Sequence, residues 1–368
     1  MKNLTVWEWN DEIIVSLTPN IVVLCVYLFV GIFGNVLVLL VYGCQMKNTS
    51  DERCFIPILA ACDLIATLCL GSFAIYNSIN QVTYSNYVVC KITTFFNGLA
   101  TFLPTCVLLI IAIQRYVKIC TTINHSTTLF FKRVSIVLAN LCSVLVTLPL
   151  SFVAKLIPIH SSRYQITGIR CGTSSKGNNL ARNIYFIVVG FFVVFTVTAF
   201  IVLYARIAYT IFGHLKKRRH QNNKKGKEAN IEENSVENNK ETEEDLTIGD
   251  FQRNSHKRKC NGKIHTATIS KTESVRRKRN RAMTHKMAIM FFVITLVFCI
   301  SYLPKIIVII MSGIYKDFVE KLSNPERSAV LFVYDMQIIN NIVNPFIYAF
   351  MDTKFRTEAT TFLKRLFH

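Results

Sequence analysis

Three groups of polar residues stand in apolar surroundings, where their chemistry is costly. Arg115 closes a largely apolar stretch that begins at Cys90, and Tyr116 and Lys118 follow it. Asp63 lies inside Leu59-Ala60-Ala61-Cys62-Asp63-Leu64. Asn340, Asn341 and Asn344 gather in Asn340-Asn341-Ile342-Val343-Asn344-Pro345-Phe346-Ile347-Tyr348. In a membrane, a guanidinium or carboxylate must face a protein interior or water, and such groups serve as switches, ion pathways or hydrogen-bond hubs. For Asp63, a switching role and a structural hub are equally open on physics alone.

Catalysis finds no support. The eight histidines lie in loops, in a charged segment or at the C-terminus, without metal-ligand spacing. There is no Gly-rich phosphate loop and no nucleophile motif. The chain is therefore read as not an enzyme, with no catalytic residues and no metal centre.

The elements that carry these residues are membrane spans. From Cys90 to Arg115 is 25 steps, and at 1.5 Å each a helix covers roughly 37 Å, slightly more than a bilayer's hydrocarbon core. Of 368 residues, 51% are hydrophobic, with 27 Phe against 2 Trp, a balance that favours a membrane protein. Apolar runs predict spans at residues 20–42, 53–77, 86–120, 134–154, 184–211, 283–310 and 328–350. The net charge of +20 is concentrated between these runs and in one long loop, which marks cytoplasmic flanks rather than a nucleic-acid surface.

The chain thus divides into an outer N-terminus (1–19), a seven-span bundle (20–350) and a tail (351–368). Residues 1–19 carry Glu8, Asp11 and Glu12, while Lys47 and Arg53 follow the first span, so the N-terminus faces outward. The first residues lack the pattern of a cleavable signal. Asn3-Leu4-Thr5 is a glycosylation sequon on the outer side, while Asn48 and Asn124 begin sequons on inner loops. Residues 215–285 are charged and poor in apolar side chains, which predicts a disordered cytoplasmic loop. Ser270, Thr272 and Ser274 are phosphorylation candidates within it. In the tail, Phe355, Phe362, Leu363, Leu366 and Phe367 recur at helical spacing beside Lys354, Arg356, Lys364 and Arg365, as in an amphipathic helix lying in the membrane interface.

A cysteine at the outer end of a third span, Arg115-Tyr116 at its inner end, a proline-centred sixth span and Asn344-Pro345-x-x-Tyr348 closing the seventh together resemble the rhodopsin-like (class A) family of G-protein-coupled receptors, in a divergent neuropeptide-type form. The resemblance implies an all-α, seven-helix, multi-pass protein of the plasma membrane. Its partners would be an extracellular ligand, a heterotrimeric G protein, the lipid bilayer, and arrestin with receptor kinases. Cys90 and Cys171, the two cysteines on the outer side, can pair in an oxidising compartment.

Carried over by motif, the resemblance makes Gln114, Arg115, Tyr116, Tyr204, Asn344, Pro345 and Tyr348 the coupling switch. Asn35, Asp63 and Asn340 form a polar centre where an allosteric sodium ion is the one candidate cofactor; Pro104, in place of the family's serine, argues against it. Phe298, Tyr302 and Pro304 form the activation pivot, since a mid-helix proline removes a backbone bond and kinks the span. The ligand pocket would involve Asn97, Thr101, Tyr302, Arg163 and Arg170. Departures from the family's pattern fall at Gln114, Ala139, Thr196 and Tyr302. A neutral amide at Gln114 holds the arginine about 1 kcal/mol less firmly than a carboxylate, which predicts raised basal signalling.

Asn97 stands where amine receptors carry an aspartate, so an amine ligand is not expected. Residues 155–182 contain five Lys or Arg and no Asp or Glu. Such a loop concentrates anions through its field or is simply a solvated face. The leading ligand is a peptide of acidic character, with an anionic lipid or small molecule second. A non-signalling decoy receptor keeps the same fold, and a transporter would show internal repeats, which are not seen.

Overall fold

A computed structural model describes residues 5–46, 53–121, 129–161, 163–173, 180–238, 260–315, 318–319 and 321–367. The helices are α1 (Val6–Leu40), α2 (Phe55–Ile79), α3 (Tyr87–Cys120), α4 (Leu129–Val153), α5 (Leu180–Asn238), α6 (Cys260–Ile314), α7 (Asn324–Asp335), α8 (Ile339–Met351) and α9 (Thr353–Phe367). Between α4 and α5 lies a hairpin, β1 (Ala154–Ser161) with β2 (Ile166–Thr173). Six of the helices, α1 to α6, are long and apolar enough to cross a membrane. The seventh crossing is made in pieces of 12, 3 and 13 residues: α7, a 3-10 turn (Met336–Ile338) and α8.

α3 is central. Asn86 caps it, its Oδ1 accepting from Val88 N (2.9 Å) and Val89 N (3.0 Å), which satisfies donors no helical carbonyl can reach. Its buried residues, from Cys90 to Arg115, meet α2, α4, α5 and α6. α1 packs closely on its neighbours because Gly31 has no side chain: a Cβ there would lie 2.6 Å from Thr67 Cγ2 and 2.7 Å from Ile342 Cγ2. The outward faces carry exposed Phe29, Phe33, Val137, Leu145, Phe191, Phe195 and Ile201, the surface a lipid tail would cover.

Three elements differ from the sequence expectation. The first span was expected to begin at residue 20, but α1 begins at Val6. A capping box starts it, with Glu8 N donating to Thr5 Oγ1 (3.3 Å) and Thr5 N to Glu8 Oε2 (2.7 Å). Its outer turns bury Trp9, Ile13 and Leu17 with Val82, and Asn10 binds the Ile79 carbonyl and Val82 N. The second outer loop is a hairpin. Its β2 strand is held further by Ile169 N to the Val82 carbonyl (2.7 Å) and Tyr84 N to the Ile169 carbonyl (3.0 Å). Gly168 permits that approach, since a Cβ would meet Val82 Cβ and its carbonyl oxygen at 2.7 Å.

The third difference is the long inner loop, expected to be disordered. α5 runs on to Asn238 and α6 starts at Cys260, so both ends of the loop are helical. They are rich in Lys and Arg, whose intrinsic helix preference needs no apolar face. Residues 239–259, Asn3 and the sequons at Asn48 and Asn124 lie outside the described residues, as do the side chains of Ser270, Thr272 and Ser274.

α9 lies against the inner end. Its Phe355 stacks near Tyr42 (6.2 Å) and meets Tyr348 edge-on (6.1 Å), Phe355 and Ala359 are buried, and Leu366 is exposed. This face pattern matches a helix seated at an interface.

Candidate functional site

At the inner end, Arg115 is fully buried and its guanidinium lies 5.0 Å from the centroid of Phe291 on α6. A cation over an aromatic face is attracted by the ring quadrupole, more strongly when water is excluded. Gln114 beside it is 6% exposed, and neither atom of its amide makes a hydrogen bond. Tyr116 is half-buried. Tyr204 on α5 bonds Thr295 Oγ1 on α6 (3.0 Å), joining the two helices. Tyr348 is fully buried with its hydroxyl unbonded, and Pro345 is buried against α1.

A second contact at this end carried no functional weight in the sequence. Arg53, just before α2, forms a two-point ion pair with Asp352 between α8 and α9: Nε to Oδ2 is 2.8 Å and Nη2 to Oδ1 is 3.0 Å. Its Nη1 also approaches Met283 Sδ on α6 (3.7 Å). Asp352 in turn accepts from Lys354 N and Phe355 N, starting α9. Burial alone would raise the Asp352 carboxyl, but the Arg53 bonds and charge, with the two backbone donors, hold it below the usual carboxylate value. A basic residue near a predicted span end reads as a topology signal, which hid this role.

In the middle, Asn344 Nδ2 donates to Asp63 Oδ2 (2.7 Å). Asn35 donates to the carbonyls of Gly31 (3.0 Å) and Asn341 (2.9 Å), and Asn340 to Asn341 Oδ1 (3.1 Å). Asp63 Oδ1, Asn340 Oδ1, Asn344 Oδ1 and Thr67 Oγ1 are buried there without a hydrogen-bond partner. Acceptor oxygens gathered in this way suit a cation or ordered water. Above this centre, Phe298 and Tyr302 on α6 pack with centroids 4.5 Å apart.

At the outer end, the structure brings together Thr101, Tyr302 and a residue the sequence reading did not single out, Lys305. Lys305 follows Pro304 on α6 and is 8% exposed. Its Nζ donates to Gln337 Oε1 in the 3-10 turn (2.6 Å), lies 3.5 Å from Thr101 Oγ1 and sits 5.1 Å from the Tyr334 ring centroid. Asp335 acts on it through its charge. A lysine seven residues before Ser312, the last residue of the apolar part of α6, was the available signal, masked by the proline before it. Asn97 is half-buried and its carbonyl accepts from Thr101 (2.9 Å).

The two loop arginines lie on the hairpin. Arg163, exposed at the hairpin turn, pairs with Glu12 of α1 (3.4 Å), and Tyr164 hydrogen-bonds the same carboxylate. Arg170 is half-buried in β2, opposite Ile157. Cys90 and Cys171 form a disulfide, Cα–Cα 5.5 Å, that ties the hairpin to α3. Among the described residues, no cluster of three or more His, Cys, Asp or Glu could hold a metal ion.

A helical bundle crossing the membrane seven times, closed at one end by a disulfide-tied hairpin and at the other by an amphipathic helix, defines the architecture of a seven-helix membrane receptor. The family pattern described as 7 transmembrane receptor (rhodopsin family) matches residues 34–348. The chain belongs to that family: it is a G-protein-coupled receptor, a multi-pass plasma-membrane protein and not an enzyme. It is 24% identical to the human (Homo sapiens) thyrotropin-releasing hormone receptor over 367 residues, covering 97% of this chain and 82% of that one. It is also 24% identical to a QRFP-like peptide receptor of Branchiostoma floridae (94% and 78% covered) and 23% identical to a cholecystokinin receptor of Xenopus laevis (93% and 76%). It is thus related to receptors for peptides.

Proposed function

We propose that this receptor binds an extracellular peptide of acidic character and, in response, activates a heterotrimeric G protein at the end of the bundle that holds Arg115. Its similarity to the thyrotropin-releasing hormone, QRFP-like peptide and cholecystokinin receptors supports a peptide. The observation that carries the coupling is the contact between Arg115 and Phe291. Phe291 rides on α6, the helix that Pro304 allows to bend, so an outward swing of its inner half removes the ring and uncovers the guanidinium. The ligand supplies the bias by binding the open arrangement better than the closed one. Asn35, Asp63, Asn340 and Asn344 link α1, α2 and α8 as the polar centre. A sodium ion, if bound, would be held by Asp63, Asn340 and Asn344 and would add a positive charge beside the carboxylate. Arrestin and receptor kinases would act at the same inner face.

The test is G-protein activation in cells expressing the full chain, wild type beside Arg115→Ala at matched surface expression, without ligand and with peptides. We expect the basal or peptide-driven signal to disappear in the variant. A signal that persists unchanged overturns Arg115 as the switch, and no signal from the wild type favours a decoy receptor.

A further inference from the structure

We infer that Lys305 is the anchor for a carboxylate carried by the ligand, held deep in the bundle between α3, α6 and the break in the seventh crossing. The identity of the carrier rests on the peptide reading above; the location rests on geometry.

An ammonium withdrawn from water inside a membrane span is costly, and such residues are rarely idle. Lys305 has three donor protons. One close acceptor is present, Gln337 Oε1 at 2.6 Å, and Thr101 Oγ1 stands at the 3.5 Å limit of a hydrogen bond. Asp335 is near enough for its charge to act, but among the described residues no carboxylate comes within the 4.0 Å of an ion pair with it. The positive charge is therefore buried with a neutral amide as its main partner. One turn earlier on the same face of α6, the Tyr302 hydroxyl is buried beside Thr101. An ammonium and a buried phenol on one face are two donors suited to the two oxygens of one carboxylate.

Depth narrows the carrier. Lys305 is seven residues from Ser312, so it lies about 10 Å below the outer end of the apolar part of α6. That depth is about three extended residues, within reach of a peptide's end rather than its middle. The basic hairpin is a weaker anchor, because Arg163 is already paired with Glu12. A purely structural lysine, there only to hold Gln337 at the break, would leave ligand chemistry unaffected.

The experiment uses pools of short random-sequence peptides in four forms: with or without Asp and Glu, each as C-terminal acid or amide. G-protein activation is read in cells expressing wild type, Lys305→Gln, Lys305→Arg or Asp335→Asn at matched surface levels. We expect carboxylate-bearing pools to act on the wild type, with a potency loss of about tenfold or more in Lys305→Gln, the worth of one charge-assisted hydrogen bond. Lys305→Arg should recover part of it, and Asp335→Asn should raise potency by removing a like charge. Comparing the four pools tells a terminal from a side-chain carboxylate. Equal potency of acid and fully neutral pools, or an unchanged response in Lys305→Gln, overturns the proposal.

If no pool acts on the wild type, the peptide reading fails and the lysine is judged alone. The purified full chain in lipid nanodiscs is then heated with phenylacetate or phenylacetamide. Stabilisation by the acid alone, lost in Lys305→Gln, supports the anchor. No stabilisation, or the same in both proteins, overturns it.

Discussion

Two buried cations mark the two ends of this bundle, and each lies over an aromatic ring at nearly the same distance: Lys305 over Tyr334 at 5.1 Å and Arg115 over Phe291 at 5.0 Å. Their other neighbours differ. Lys305 meets an amide oxygen and a hydroxyl supplied by two other elements, whereas beside Arg115 the Gln114 amide makes no hydrogen bond. Polar partners from several helices make a place where one polar group can be exchanged for another. An aromatic face on one movable helix makes a cover. The outer cation is thus arranged to receive a ligand, and the inner one to be hidden and exposed.

A third buried cation supplies the control. Arg53 has a two-point carboxylate partner, and Arg53 and Asp352 are 8% and 3% exposed. Breaking a buried ion pair leaves one charge without its partner and costs about 3–5 kcal/mol. Arg53→Gln should therefore lower the melting temperature of the purified receptor far more than Lys305→Gln. Equal losses would remove the distinction between a structural and a receptive cation. The pair also gives a pH signature. The Asp352 carboxyl is held below its unfolded value, so its stabilisation is complete above that value, near 4, and is lost as pH falls through the folded one. Melting temperature should drop in that acid window in the wild type and less in Asp352→Asn.

The cover is tested next. Phe291→Leu keeps an apolar side chain but removes the ring, and a desolvated cation–π contact is worth up to about 2 kcal/mol. Basal signalling should rise at matched surface expression, while the response to Lys305→Gln stays as in the wild-type background. A basal level that stays flat would mean that Arg115 is held by something other than Phe291.

How much of this was legible follows the same contrast. Asp63 and the asparagines stood out because polarity inside an apolar run is visible in a window of sequence, and the structure bonds Asn344 to Asp63. The seven crossings and the Cys90–Cys171 link were likewise readable from apolar runs and from which cysteines face outward. Lys305 was not, because a charge near a span's end reads as a flank, and only the position of Gln337 across the bundle reveals that it is enclosed. The break at Met336–Ile338 contains no Gly or Pro, so nothing local announces it. The outer turns of α1 did carry a signal, Thr5 to Glu8 followed by Trp9, Ile13 and Leu17. It fell below the hydropathy of a span, and a search for spans passed over a helix whose apolar face meets protein.

The smallest effect addresses Gln114, the residue just before the cation in α3. Sequence reasoning allowed Gln114 an ordinary hydrogen bond to Arg115, but the structure leaves both ends of its amide unbonded, so the resting state draws no hydrogen-bond support from this side chain. Gln114→Asp would place a carboxylate next to the buried guanidinium, gaining about 1 kcal/mol where an ionic bond replaces a neutral one, a several-fold shift toward the closed arrangement. Basal G-protein output should fall accordingly, and the effect should be largest in the Phe291→Leu background, where the ring no longer covers the arginine. If Gln114→Asp changes neither background at equal surface expression, the resting state is set elsewhere. Arg53, which reaches Met283 on α6 (3.7 Å) while paired with Asp352 between α8 and α9, is then the contact that holds this end closed.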